Sequence, residues 1–317
     1  MKYRIAIDLG GTDIKSGVVD EEYHIIKSHT IPTGAKRPFE VVVADMARAA
    51  VETAEMAGLE IADFSCVGVG VPSTINPKNG LLVFSNNTNW RNAPLRQELA
   101  KHLPVPVYIG NDANCAVIGE ALAGAAKGKE NVLMLTLGTG VGGGIIYEGK
   151  LFVGGDGMGA ELGHMTLVHE GIVCTCGLPG CFESYASVSA LIQQTRDAMK
   201  AHPDSMMNRH MQAHDGRVTG RTAFECAKAG DAAALAVVDQ YTTYIANGIG
   251  SLCTIFRPEI VLIGGGISNE GDYLLDPINR KLPRYQHASD IIGSPPVVKA
   301  TLGNSAGTIG AAFLDAM

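Results

Sequence analysis

The sequence predicts an α/β protein built as two lobes. Three observations carry that expectation. First, two segments share one arrangement, DLGGTDIKSGVVDE from Asp8 and TLGTGVGGGIIYEG from Thr136: apolar strand, glycine turn, second strand, acidic turn. Second, short apolar runs alternate with helix-length periodic stretches, the pattern of α/β chains. Third, 317 residues exceed what one hydrophobic core commonly organises.

The elements follow in order. Residues 3–9 form a buried strand ending in Asp8. Ile14, Val18 and Val19 mark a second strand, and HIIKSHTI a third. The Gly10-Gly11 turn therefore opens a hairpin. A dinucleotide fingerprint needs strand, glycine turn and helix, so it is excluded. Residues 38–57 form a helix, with Pro38 near its start and Gly58 beyond its end. Val67 to Val71 is a strand that Pro72 stops. A helix runs from about Pro94 to His102, and VPVYIG is a short strand delivering Asn111 and Asp112 to its C-terminal end. Residues 113–125 are helical. Further helices are expected over 184–201, 221–229, 231–256, 273–282 and 305–316, with a buried strand PEIVLIGGG among them. Residues 202–220 are polar and weakly periodic, and should be the least ordered stretch.

Composition narrows the function classes. Apolar content of 46% and charged content of 18% suit a soluble globular enzyme. A net charge of −7 argues against a broad nucleic-acid surface. MKYRIAIDLGG passes straight into a strand, and no apolar run reaches membrane-spanning length, so neither signal peptide nor membrane span is expected. Seven cysteines, an odd number, make a poor disulfide framework and indicate a reducing, cytoplasmic setting. Cys66, Cys115, Cys226 and Cys253 are scattered and expected to be small buried hydrophobes.

The most specific local pattern is GHMTLVHEGIVCTCGLPGC. His164, Cys174, Cys176 and Cys181 are spaced by nine, one and four residues. Three thiolates and an imidazole suit tetrahedral zinc over magnesium or calcium. Four protein ligands leave no position for water, so the ion is structural. His169 is the competing histidine; the ELGH context favours His164. The bland alternative is three loosely placed buried cysteines beside an unrelated histidine. One ring nitrogen of the histidine could hold zinc while the other meets a carboxylate or a sugar hydroxyl.

Three glycine turns follow apolar strands. Gly10, Gly11 and Thr12 offer backbone N–H groups and a hydroxyl to phosphate, and Asp8 could hold Mg2+. Gly138, Thr139 and Gly140 form a second phosphate turn. Gly264, Gly265 and Gly266 would let adenine or ribose lie against the backbone. Both hairpins could instead be ordinary glycine turns. Asp112, in GNDANC at a strand end, is the candidate general base for a hydroxyl attacking the γ-phosphorus of ATP. Asn111 suits a sugar diol. The alternative is that Asn-Asp caps the following helix. Glu161 and Glu183 could accept hydrogen bonds from hydroxyls, although Glu183 also suits the first turn of a helix. Asn87, Asn89 and Trp90 in FSNNTNW form a further polar and aromatic patch, with Asn87 a candidate sugar contact and Trp90 equally a core residue.

At these residues the chain resembles the ROK family (repressors, open reading frames and kinases), and within it the bacterial glucokinase-like sugar kinases. DLGGTDIK is similar to the first phosphate motif, LGTGVGGG to the second and VLIGGGIS to the adenosine motif. ELGHMTLVHEGIVCTCGLPGCFESYAS resembles the sugar-and-zinc signature, and the likeness covers nearly the whole chain. The resemblance implies a ribonuclease-H-like, actin/hexokinase-type ATPase fold, two α/β lobes around a cleft. It implies an N-terminal lobe of residues 1–115, joined by a C-terminal helix over 303–317, and a second lobe of residues 116–302. It implies Asp112 as catalytic base and Asn111, Glu161, His164 and Glu183 as sugar contacts. It implies ATP, Mg2+ and structural Zn2+ as cofactors, and a homodimer or tetramer as assembly. The expected reaction is phosphorylation of glucose on its C6 hydroxyl.

Alternatives are N-acetylmannosamine, N-acetylglucosamine, mannose, fructose or allose, or a non-catalytic sugar sensor. Three departures bear on the substrate and nucleotide: Asp13 where many members carry lysine, Ser73 in GVPST, and NNTNW in place of NLPGW. The repressor branch adds an N-terminal DNA-binding domain, for which a strand beginning at Tyr3 leaves no room.

Overall fold

Two five-stranded sheets repeat one strand order, and the short connections explain why. The computed structural model describes residues 3–85 and 88–316. β1 (Arg4–Leu9), β2 (Asp13–Val19) and β3 (Ile25–Pro32) form an antiparallel meander, since their turns are too short for anything else. α1 (Phe39–Met56) supplies the crossover that lets β4 (Val67–Val71) pair with β1 in parallel. β5 (Thr74–Asn76), β6 (Leu81–Phe84) and β7 (Arg91–Ala93) make a separate small sheet. α2 (Leu95–Leu99) leads to β8 (Val107–Asn111), parallel to β4. The first sheet thus reads β3-β2-β1-β4-β8.

After α3 (Asp112–Ala123), β9 (Val132–Leu137), β10 (Val141–Tyr147) and β11 (Lys150–Leu151) repeat the meander. β12 (Ile260–Gly264) and β13 (Val297–Lys299) complete the order β11-β10-β9-β12-β13. Taken in chain order within its sheet, each series runs third, second, first, fourth, fifth. Both are open mixed sheets, and the repeat matches the likeness between the two glycine-turn segments.

The remaining helices are α4 (Glu183–Ala186), α5 (Val188–Ala201), α6 (Met206–Ala213), α7 (Thr222–Lys228), α8 (Ala232–Phe256), α9 (Asp272–Lys281), α10 (Ser289–Ile292) and α11 (Ser305–Ala312). The chain divides into two compact units. Unit 1 holds Met1–Val132, Gly144–Ala160 and Thr301–Met317; unit 2 holds Leu133–Gly143 and Glu161–Ala300. Among the described residues no helix is long and apolar enough to cross a membrane.

In unit 1 the period-2 alternation of strands sorts the side chains. Ile5, Ile7 and Leu9 of β1 join Val42, Val43 and Met46 of α1 in one buried core. The intervening positions, Ala6 and Asp8, turn toward the other face, where α11 packs on β1, β4 and α3. That packing depends on missing side chains. A methyl group at Gly310 would lie 1.7 Å from the Cys115 carbonyl oxygen, and one at Gly119 would lie 2.2 Å from that of Ala306. Both neighbours are backbone and cannot turn aside. Gly310→Ala is expected to cost about 3 kcal/mol by overpacking, read as a lower urea midpoint; an unchanged midpoint would contradict the close crossing. Fully buried Glu120 fixes the start of this return. It accepts hydrogen bonds from the N–H of Leu302 at 2.7 Å and of Ala125 at 2.8 Å, and from the Thr301 hydroxyl at 3.3 Å.

Unit 2 is organised around α8, whose buried Tyr241 donates its hydroxyl to the Ala186 carbonyl at 2.9 Å. Two expectations are corrected here. Residues 202–220 contain α6, anchored by fully buried Met207 and by the Ser205 hydroxyl, which accepts from Met207 N–H at 3.2 Å. Asp231 adds a tie, accepting from the Met206 N–H at 2.7 Å and the Ser205 hydroxyl at 3.0 Å. The single helix expected over 184–201 is instead α4 and α5, parted at Ser187, whose hydroxyl caps α5 by accepting from Ala190 N–H at 3.1 Å. The four scattered cysteines are all buried and free.

Candidate functional site

Unit 1 gathers two carboxylates at the C-terminal ends of parallel strands. Asp8 ends its run on β1 level with Gly70 of β4 and Gly110 of β8. Asp112 follows β8 directly, so two strand spacings, on the order of 10 Å, separate the backbones that carry the pair. Cys115 lies beneath both. Burial pushes its thiol well above the ordinary range, and the charges of Asp112 and Asp8 push it further. Burial also raises the Asp8 carboxyl, against the pull of Lys15. A divalent cation would offset that penalty, so Asp8 suits Mg2+.

The expected turn lies beside Asp8. Gly11 and Thr12 are exposed. Gly10 N–H donates to the Asp13 carbonyl at 2.8 Å. Thr33 occupies the turn's carbonyls: its hydroxyl donates to Gly10 at 2.7 Å and its N–H to Thr12 at 2.8 Å. No sequence signal pointed to Thr33.

The structure settles which of Asn111 and Asp112 caps the following helix. Asn111 is the cap of α3, its Oδ1 accepting from the N–H groups of Ala113 at 2.8 Å and Asn114 at 3.1 Å. Its Nδ2 donates to the Ser73 carbonyl at 3.2 Å. Asp112 stands one residue on, exposed in the first turn, with Oδ1 accepting from Ala113 N–H at 2.9 Å. Trp90 is 8% exposed and packs edge-on against Phe39, so its role is core. Asn87 lies outside the described residues.

Unit 2 carries the other two glycine turns. Gly138 to Gly140 joins β9 to β10 and rests on the start of α5: Val188 N–H donates to the Gly138 carbonyl at 2.8 Å, and the Ser189 hydroxyl to that of Thr139 at 2.8 Å. The Ser-Val-Ser run at that helix start was the legible sign of this support. Glu183 lies against the same turn. Its Oε2 accepts from Val141 N–H at 2.8 Å, and a side chain at position 140 would come within 2.2 Å of that oxygen. Gly264 to Gly266 follows β12. Gly265 has φ +85° and its missing side chain would strike the Leu137 carbonyl at 2.2 Å. Gly138 and Gly266 have nothing within 4 Å of where a methyl would stand. Packing gives no reason for glycine there, whereas a ligand against the backbone would.

The metal-ligand residues come together. A 3-10 turn, Leu162–His164, is held by His164 N–H donating to exposed Glu161's carbonyl at 3.0 Å. The loop then doubles back through bridges Thr166 to Cys181 and Val173 to Pro179. Gly180 takes φ +76° with the Val168 carbonyl only 1.7 Å from where a side chain would start. The ligand atoms of His164, Cys174, Cys176 and Cys181 all lie within 4.8 Å of one another. His164 Nδ1 is 3.8 Å from Cys174 Sγ, and Cys176 Sγ is 3.6 Å from Cys181 Sγ. A zinc tetrahedron with Zn–S of about 2.3 Å has edges of about 3.8 Å, so the donor set fits. Burial, then the two neighbouring thiols, push Cys181 up to about 12. At Cys176 burial pulls the same way but is outweighed by hydrogen bonds from Leu178 N–H, Cys181 and Cys174, which hold it below its ordinary value. A bound cation removes the conflict between the sulfurs. His169 is exposed and, among the described residues, belongs to no such group.

Glu183 ties the two features together. Its Oε1 lies 3.6 Å from Cys174 Sγ while Oε2 holds the Val141 N–H. One carboxylate thus touches both the cysteine loop and the second glycine turn.

Known proteins resemble this chain along nearly their full length. The model of the ROK family matches residues 4–316. A glucokinase of Thermotoga maritima is 38% identical over 311 residues, covering 98% of this chain and 96% of that one. The crystal structure of a ROK family glucokinase from Streptomyces griseus in complex with glucose and AMPPNP superposes with TM-score 0.82 at 35% identity, covering 98% of each chain. The ROK hexokinase from Thermus thermophilus gives TM-score 0.81 at 33% identity, over 98% of this chain and 97% of that one.

Proposed function

The chain belongs to the ROK family, and from that premise we infer an ATP-dependent hexose kinase whose acceptor is glucose and whose product is glucose 6-phosphate. The observation that carries the assignment is the donor set of His164, Cys174, Cys176 and Cys181, joined through Glu183 to the turn at Val141. That coupling is what a sugar site formed beside a phosphate turn requires.

Asp112 is assigned as general base. It is exposed at the start of α3, and the residue that caps that helix is its neighbour Asn111. It takes the proton of the sugar's C6 hydroxyl as that oxygen attacks the γ-phosphorus and the bond to ADP breaks. The N–H groups of the turns at Gly10–Thr12 and Gly138–Gly140 hold phosphate oxygens, and the backbone at Gly264–Gly266 takes the adenosine. Asp8 would hold Mg2+, which neutralises charge on the transferred group. Zn2+ would close the loop through four protein ligands and present no open position. His164 turns Nδ1 toward Cys174, which leaves Nε2 for a sugar hydroxyl. Glu161, Glu183, Asn111 and Asn87 are the further hydroxyl contacts. A homodimer in the cytoplasm follows from the family resemblance.

A coupled ATP assay across a sugar panel tests the reading. Glucose should give the highest kcat/KM. A higher value for an N-acetylhexosamine, mannose, fructose or allose would replace glucose as substrate. Sugar binding without ADP release from any member would establish the sensor instead.

A further inference from the structure

A second group of metal-ligating side chains lies in the stretch that read as least ordered. His210 lies in the last turn of α6 and His214 is the residue that ends the helix, their rings stacked with centroids 4.1 Å apart and planes 14° from parallel. α7 packs on α6 and brings Glu225, whose Oε2 is 2.7 Å from His210 Nε2. One ligand atom from each of the three lies within 4.8 Å of the other two.

A hydrogen bond sets the His214 ring up as a ligand. His214 Nδ1 donates to the His210 carbonyl at 2.8 Å. That fixes the proton on Nδ1 and leaves Nε2 with a lone pair, the outer-shell arrangement typical of a metal-bound imidazole. His210 Nδ1 is buried without a partner and Nε2–H donates to the Glu225 carboxylate, so Nε2 takes an ion by giving up that proton to solvent. Glu225 is held below the usual carboxylate range by the His210 hydrogen bond first, against a smaller effect of burial. It is therefore ionised. An ion would take the place of the proton between His210 Nε2 and Glu225, and the His214 ring has to tilt out of the stack to reach it. His214 and Glu225 are both exposed.

We propose that His210, His214 and Glu225 form a second divalent-cation site, separate from the thiolate cluster. Two imidazoles and a carboxylate suit borderline transition ions such as Zn2+, Co2+, Ni2+ or Cu2+ rather than Mg2+ or Ca2+. Three protein ligands leave positions for water, which makes this ion exchangeable where the Cys3His ion is enclosed. Bound there, it would staple α6 to α7.

The test uses tag-free chain already carrying one zinc per chain. Dialysed against Zn2+ in the micromolar range, wild type should take up a second equivalent by mass spectrometry of the metal, with a rise in melting temperature. H214A and E225Q, both at exposed positions, should each weaken that second equivalent by about tenfold or more while keeping the first. They should melt like wild type before zinc is added, which separates lost ligation from misfolding. Uptake that stops at one equivalent in wild type overturns the site. So does a second equivalent that binds both variants as tightly as wild type.

Discussion

Asp112→Asn is expected to lower kcat by about 10²–10⁴-fold. The amide cannot accept the hydroxyl proton, yet it keeps the size and polarity of the carboxylate. The fold should tolerate it, because the cap of α3 is Asn111 and not Asp112. What α3 loses is one favourable charge near its N-terminus, about 0.3–1 kcal/mol. Glucose affinity, metal content and urea midpoint should therefore stay close to wild type while turnover collapses. Asn111→Ala should lose about 1 kcal/mol of stability with the cap and, as a proposed sugar contact, should raise KM for glucose as well. An Asp112→Asn enzyme that keeps most of its turnover would remove Asp112 from the chemistry.

The second large effect is expected from Cys176→Ala. Cys176 is exposed, so truncating it leaves no cavity to explain a loss. Its influence runs through the ion. Structural zinc contributes about 10–16 kcal/mol of apparent binding energy in small zinc-finger peptides, and a missing thiolate forfeits much of it. Zinc should fall below one per chain and the loop from Met165 to Cys181 should lose its register. Glu183, which contacts both Cys174 and Val141, should loosen with it. KM should rise for the sugar and, through the second phosphate turn, for ATP. A chelator applied to wild type should reproduce the change, and added zinc should reverse it. Unchanged metal content together with unchanged KM would break the proposed coupling.

Much of this was legible in the chain, and the reasons are physical. The hairpin after Gly10-Gly11 showed because Ile14, Val18 and Val19 return at strand spacing. α1 and α8 showed because they are long enough for a 3.6-residue period to stand out. β5, β7 and β13 span three residues each, too few for any period, and exist only through partners. α6 escaped notice because Met207 is its only buried residue, among polar neighbours. In the site, ligand spacing gave the thiolate cluster. Spacing could not divide capping from catalysis between Asn111 and Asp112, since both residue types serve both ends. Nor could it show Glu183 reaching Val141, a partner 42 positions away.

The return of α11 has a bearing on how the protein is made. Unit 1 depends on Thr301–Met317, which leave the ribosome only after all of Glu161–Ala300. Until then the glycine-lined groove of α3 and the facing sheet stand bare, apolar and open to misassembly. Nascent chains stalled before Ser305 should need chaperones and be readily cut within α3, and release of the last helix should end that vulnerability in one step.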